Sequence, residues 1–562
     1  MSYSTTRNTY FDDVPIAENI YLMEDPHRDP YMPSEVTQKE LKGYYVYSMA
    51  CLPFQSILSN LILPILLDGW IIKLGMKIIK ENEEARNEGD TDGLLAQCSF
   101  QSNENCSLKF GNKIMNSTLF TLIFYSIILL FQIIMSLWLG ALADYGYYRK
   151  FLLLLLGTFV SIISILILSI SNVEKLFYFG IVLIALSKIF YATIAVYRYG
   201  YIHTLTQHHP RTKRASHILP NSPTIYFQVL EKVANNLSTK DLVFGHLGTL
   251  LSGSLCLITV YYQANFFGLR LCCMIIGSWY LMLIIISSRY LPNRVFRPAP
   301  REYSTSQFLI YRIFQSLFYI WKLRRIYLVC CNVFLVHLLL YSFKLLSIVI
   351  YNNDSNTNTN STLFQLIFLI LLSSLGSIIG LIAFNWSMSY FKIRTKKALL
   401  VFHLFYMLIP ISLFLIFNFN TNTTNLTKVL NNSNNFSLFN NLDNNKDSTS
   451  HPILTFENWP IYLYNFMEGM IISNLESLFR VYFLAYLPSS REHEFFAHYH
   501  NYQTLGFTLA PIVSLVILIL LPSFKYILLV PLGILLFSML SIYLLNEEKA
   551  KRNNNEFIKG TR

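Results

Sequence analysis

The sequence predicts an all-α protein that crosses a membrane many times, and three observations carry that prediction. Of 562 residues, 53% are hydrophobic and 14% charged, with 37 Tyr and 43 Phe, a balance foreign to an ordinary soluble globule. Apolar runs of about 20 residues, the length that crosses a hydrocarbon core, recur along the whole chain. The Lys and Arg residues behind the net charge of +12 sit in short joints between those runs. They form no groove or tail, so they fix topology and argue against nucleic acid as a partner.

In order, the apolar runs fall near 43–67, 118–142, 151–171, 175–201, 242–263, 267–291, 325–350, 362–384, 397–418, 460–487, 501–521 and 523–545. That makes twelve spans, an even number, so both termini share one side. The first forty residues are polar and acidic with scattered Pro, which reads as no cleavable signal peptide and a cytosolic tail, 1–42. The joint at Arg149 and Lys150, the loop 202–241, the linker 292–324, the joint from Lys392 to Lys397 and the tail 546–562 carry the basic residues and share that side. The lumenal loop 68–117 runs against the trend with Lys73, Lys77, Lys80 and Arg86, balanced by Glu81, Glu83, Glu84 and Glu88. The lumenal loops 351–361 and 419–459 are Asn-rich and cannot bury enough apolar area to fold. N-glycosylation triplets stand at Asn105 and Asn116, and again in the Asn-rich tracts, where composition alone generates them. The linker divides the spans into bundles 43–291 and 325–545, the two-halved plan of many secondary transporters.

Between the second and third spans stands Gly140-Ala-Leu-Ala-Asp-Tyr-Gly-Tyr-Tyr-Arg-Lys150. Gly140 and Gly146 permit tight turns and close packing, while Asp144 can accept from a neighbouring helix N-terminus and pair with Arg149. The spacing resembles the signature loop of the major facilitator superfamily. That resemblance implies the superfamily's fold and a conformational latch formed by Gly140, Asp144, Gly146, Arg149 and Lys150. A loop whose basic residues only fix topology is the simpler alternative. The matching joint of the second half, Asn385 to Arg394, keeps the spacing, with Ser389 in the place of Asp144 and Arg394 in that of Arg149.

Other stretches resemble the autophagy-related protein 22 family more narrowly. They are Glu40-Leu-Lys-Gly-Tyr-Tyr-Val-Tyr-Ser48, Cys51-Leu-Pro-Phe54, Leu237-Ser-Thr-Lys240, Arg289-Tyr-Leu-Pro292, and Arg480 with Pro488 and Arg491-Glu-His-Glu-Phe-Phe-Ala-His-Tyr499. The resemblance implies a vacuolar or lysosomal membrane protein that releases amino acids to the cytosol after autophagic degradation, by alternating access; the alternatives are a carrier for another small polar solute and a transport-dead membrane scaffold that keeps the fold. It also suggests a disulfide between Cys98 and Cys106, the two cysteines of one polar loop. The chain departs from the family at Leu52 and Ala485, where a carboxylate is usual, near Leu338, where an Asp is frequent, and at Arg198, where Asn is usual.

Ionisable residues deep in a span cost about 2.5 to 3.5 kcal/mol each on insertion scales, so they turn toward the bundle interior or a wet cavity. Glu476 and Arg480, one helical turn apart, form either a substrate pair, with carboxylate on Arg480 and ammonium on Glu476, or a structural ion pair. Arg198 is a further substrate-binding candidate unless it reaches for the surface; Lys188 lies about 15 Å before it on the same helix. His337, in line with Lys344, is the candidate for proton coupling, or a packing residue like His246. Glu492-His493-Glu494 reads as the acidic start of a helix near Asp144 and Arg149, not as a metal site. No nucleophile triad, phosphate-binding loop or metal-ligand cluster is visible in the sequence, so the reading is a transporter without a cofactor, not an enzyme, with lipid and small solutes as partners. It requires these charges to converge on a water-accessible chamber between the two bundles.

Overall fold

The computed structural model of the chain describes residues 35–71, 107–110, 113–145, 148–170, 173–218, 223–263, 266–294, 311, 314–315, 323–354, 359–419, 459–487, 491–520 and 529–545. The elements run α1 (Gln38–Ile71), an antiparallel hairpin of β1 (Ser107–Phe110) and β2 (Lys113–Asn116), α2 (Ser117–Ala143), α3 (Tyr148–Leu166) and α4 (Val173–Gln207). The short α5 (Pro210–Ile218), α6 (Pro223–Tyr262), α7 (Phe266–Tyr290), α8 (Arg324–Asp354) and α9 (Thr359–Phe391) follow. The chain continues through α10 (Thr395–Phe419), α11 (Trp459–Leu484), α12 (Glu492–Leu520) and α13 (Leu529–Leu544). Among the described residues, 8 helices are long and apolar enough to cross a membrane, α1 to α4 and α6 to α9.

Local chemistry explains the irregular points. The Thr37 side chain caps α1 by accepting from the Glu40 N–H at 3.2 Å. Pro53 has no N–H to offer the Met49 carbonyl one turn earlier, and the helix relaxes into wider π-type turns over Phe54–Ile62. The freed carbonyl accepts from Trp279 Nε1 of α7 at 3.2 Å. Gly248 of α6 crosses at the same carbonyl, and a Cβ there would stand 2.1 Å from the Met49 oxygen. Glycine is required for that crossing.

Packing follows from the helix faces. On α2, Ile123, Ile127, Leu130 and Ile134 recur at helical spacing and are exposed, which marks the face turned to lipid chains. Other α2 residues pack on α4 and α12. Helices before residue 294 meet those after residue 323 mainly along two seams, α6 against α9 and α2 against α12.

One expectation is corrected. Within the expected loop 202–241, residues 202–207, 210–218 and 223–241 form the end of α4, α5 and the first five turns of α6. Glu231, Lys232, Asn235 and Lys240 lower the hydropathy of that stretch, yet Leu230, Val233, Ala234 and Leu237 recur at 3.6-residue spacing and are buried. The stretch is an amphipathic helix that only its periodicity reveals.

Candidate functional site

Charges from three helices, joined by a hydroxyl from a fourth, meet inside the bundle. Asp241 of α6 is fully buried, and its Oδ2 accepts from Arg198 Nη2 of α4 at 3.0 Å and from Arg480 Nη1 of α11 at 3.0 Å. Its Oδ1 accepts from the Ser48 hydroxyl of α1. Arg480 also pairs with Glu476, one turn before it on α11, and donates to the Tyr199 hydroxyl at 3.2 Å. The Tyr199 ring centroid lies 4.3 Å from that guanidinium, a cation–π contact. Two guanidiniums balance two carboxylates, the condition for keeping charge out of water at tolerable cost.

Polar side chains extend the set. Tyr44 donates to the Arg198 carbonyl at 3.0 Å, and Tyr199 donates to Gln503 Oε1 at 3.4 Å. Gln503 Nε2 lies 3.0 Å from His337 Nε2, and His337 Nδ1 lies 2.8 Å from the Val333 carbonyl. His337 therefore donates from Nδ1 and accepts at Nε2, the pattern of a neutral imidazole. His246 Nε2 lies 3.1 Å from Ser473 Oγ, on the α6–α11 contact.

Among the described residues, no water-sized chamber opens beside Arg480. Tyr199, Ile202, Ser238, Arg480, Val481, Leu484 and Phe496 surround a gap beside Arg480 into which no water molecule fits. The charges converge as the sequence suggests; Arg198, Asp241 and Arg480 are buried against one another, and only the Glu476 side chain, 17% exposed, stays partly open.

Toward one end of the bundle, the joint between α2 and α3 docks on α12. Helix α12 starts at Glu492 after Arg491, whose side chain has no acceptor to cap the first N–H groups. Asp144 supplies it, accepting from the His493 N–H at 3.0 Å and the Glu494 N–H at 3.2 Å. Arg149 lies 3.9 Å from Asp144 and 3.7 Å from Glu492, and donates to the Thr204 hydroxyl. Burial and the Glu492 carboxylate push the Asp144 carboxyl up to about 7, against the pull of Arg149 and the two N–H groups. Asp144, Glu492 and His493 offer ligand atoms within 4.8 Å of one another, but Arg149 stands among them as the counter-cation. Gly140 brings α2 against α12, where a Cβ would stand 3.2 Å from both the Ala497 Cβ and the His493 carbonyl. Lys150 donates to the Leu291 carbonyl beyond α7.

The remaining candidates are dispersed. Arg198 does not reach for the surface; it is 2% exposed and held by Asp241. Lys188 lies over the Tyr125 ring, 4.7 Å from its centroid. Ser389, the counterpart of Asp144, is exposed and donates to its own helix at Asn385, and Arg394 is exposed. The departures Leu52, Leu338 and Ala485 are buried apolar positions. Cys98, Cys106, Asn105 and Gly146 lie outside the described residues, as does the Lys344 side chain, and Asn116 ends β2. Sequence reasoning missed Asp241, and also Glu40, which takes two hydrogen bonds from Arg294, at 2.7 and 2.6 Å, and one from Tyr201 at 3.0 Å. Asp241 follows Leu237 by one turn on the buried face of α6, and that register was the signal for it.

The sequence matches the family described as "Vacuole effluxer Atg22 like" over residues 36–427. It is similar to Autophagy-related protein 22 of Chaetomium globosum, 26% identical over 184 residues that are 33% of this chain and 27% of the relative. Autophagy-related protein 22 of Pyricularia oryzae is 21% identical over 328 residues, 51% of this chain and 46% of the relative. These matches span less than half the length of either relative. The fold resembles the human organic anion transporter MFSD10 (TETRAN) with a TM-score of 0.51 at 13% identity, covering 90% of this chain and 99% of that one. A family match over residues 36–427 settles kinship: the chain belongs to the Atg22-like vacuole effluxers, a family of membrane transporters.

Proposed function

We propose that the chain is a carrier of twelve spans in two six-helix halves, 43–291 and 325–545, that moves amino acids from a vacuole or lysosome lumen to the cytosol by alternating access. Both termini then face the cytosol, as the distribution of Lys and Arg suggests. The reading rests on one observation: Arg198 and Asp241 meet Glu476 and Arg480 in a single contiguous set of ion pairs, three of its members buried. An amino acid carries the same two charges, so its carboxylate suits Arg480, with Arg198 near, and its ammonium suits Glu476. A bound substrate then exchanges with the protein's own ion pairs, and no net charge is stranded in the bundle. Separation of the halves breaks contacts in the set and admits water from one side at a time.

The docked Asp144 joint serves in this reading as the cytosolic latch, shut in the conformation described. Release of Gln503 frees Nε2 of His337 to take a proton, the step that would couple transport to an acidic lumen. A Cys98–Cys106 disulfide and glycans on Asn105 and Asn116 belong to the lumenal loop. A second reading, a carrier for a different small polar solute, draws on Leu52, Leu338 and Ala485, apolar and buried where relatives keep carboxylates.

The test is efflux from sealed vesicles preloaded with a labelled amino-acid mixture. The full-length chain releases label, and Arg480→Gln and Glu476→Gln lower the rate at least tenfold with the protein still folded. Release unchanged by either variant overturns the site, and no release of any amino acid overturns the substrate.

A further inference from the structure

Asp241 occupies Arg480, the guanidinium that the amino-acid reading gives to a substrate carboxylate. Its carboxylate is held jointly by one guanidinium from each half, Arg198 and Arg480, both at 3.0 Å, with Ser48 on the other oxygen. The Nε atoms of Arg198 and Arg480 are buried and have no hydrogen-bond partner. Arg480 is thus shared among two carboxylates and a tyrosine while one of its own donors goes unused. A buried donor without an acceptor is costly, and a ligand oxygen would relieve it.

We propose that Asp241 is a built-in occupant of the carboxylate site, a positioning residue that ties the two halves together when no substrate is bound and that an incoming carboxylate displaces from Arg480. Arg198 keeps Asp241 in the first half, where Ser48 and Tyr44 already hold that corner, and Arg480 leaves with the second half carrying the ligand. The exchange is one carboxylate for another on a single guanidinium, so the charge on each half stays balanced throughout. The ligand class is a small zwitterion, its free carboxylate on Arg480 and its ammonium keeping that half neutral, which is where the inference rests on the amino-acid reading. The tie itself, between Asp241 and Arg480, does not depend on which molecule is carried.

The experiment uses the full-length chain in lipid nanodiscs. Asn235 and Asn385 touch across the α6–α9 seam at 3.3 Å, and cysteines at both positions report closure by disulfide formation. Without ligand, Asp241→Asn is expected to lower the cross-linking rate at least threefold, and Ser48→Ala to lower it less. In a ligand arm, alanine and alaninamide are titrated and thermal stabilisation is followed. Removal of the competitor raises the apparent affinity for alanine severalfold and leaves alaninamide, which has no carboxylate, unchanged. A merely structural Asp241 would weaken both ligands or neither. If Asp241→Asn does not fold, the charge-balanced pair Asp241→Asn with Arg198→Gln carries the same test. Cross-linking equal to that of the parent chain overturns the inference. Slowed cross-linking with no response to alanine in any chain leaves the tie standing and overturns the amino-acid reading.

Discussion

Two joints with the same residue spacing, 140–149 and 385–394, end in opposite states. In the first, Asp144 is buried and caps a foreign helix; in the second, Ser389 is exposed and donates to its own helix at Asn385 at 2.9 Å. The first joint closes on α12 because that helix begins after Arg491 and lacks a cap of its own. The second turns on Lys392, whose φ of 51° places it in the left-handed region, and it meets α6 through Asn385 and Met388 at its start and Thr395 just beyond it. Thr395 donates to Glu231 at 3.4 Å, and Asn235 to Asn385 at 3.3 Å. Closure therefore depends on what a joint faces, not on its spacing. One seam is locked by a buried charge set, while the Thr395–Glu231 and Asn235–Asn385 hydrogen bonds of the other are long and part-buried.

That contrast can be broken or sharpened in order of effect. Asp144→Ala leaves two helix N–H groups uncapped and Arg149 without one partner, a loss of about 3 kcal/mol by the measure of broken buried ion pairs. A lower unfolding midpoint in nanodiscs and faster alkylation of a cysteine at Ala497 would record it; Asp144→Asn, which keeps an acceptor oxygen, is expected to lose about half as much. Gly140→Ala inserts a methyl 3.2 Å from two α12 atoms and is expected to cost about 1 kcal/mol of closure, read by the same two measurements. Thr395→Val removes one long hydrogen bond at the second joint, for about 0.5 kcal/mol. Ser389→Ala is expected to change the midpoint by less than about 0.5 kcal/mol, since an exposed serine bonded to its own turn holds nothing across the seam. A Ser389 effect as large as that of Asp144 would erase the distinction between the joints.

The first joint was legible in the sequence because its chemistry is local. Gly140, Asp144 and Arg149 stand close together, and the acidic start at Glu492 announced a helix end that attracts them. Most helices were legible because hydropathy over about 20 residues is a strong signal. The start of α6 was not, because Glu231, Lys232 and Lys240 mask an apolar stripe that only helical periodicity exposes. Asp241 was lost with it, and so Glu476–Arg480 was read as an isolated pair although Arg480 is shared with a carboxylate 239 residues away. No local pattern reports such a partner. The resemblance between the two joints was real as spacing and silent about function, since spacing carries no information on the facing surface.

The central claim is that the two halves separate at the latch end when substrate takes its place among Arg198, Asp241, Glu476 and Arg480. The most direct measurement places spin labels at Tyr148 and Ser389, exposed positions at that end on opposite sides of the seam, and records their distance distribution in nanodiscs. Addition of an amino-acid mixture is expected to populate a longer distance, and Arg480→Gln to abolish that response. A distribution that stays the same with every amino acid, or that lengthens equally in Arg480→Gln, would contradict the account.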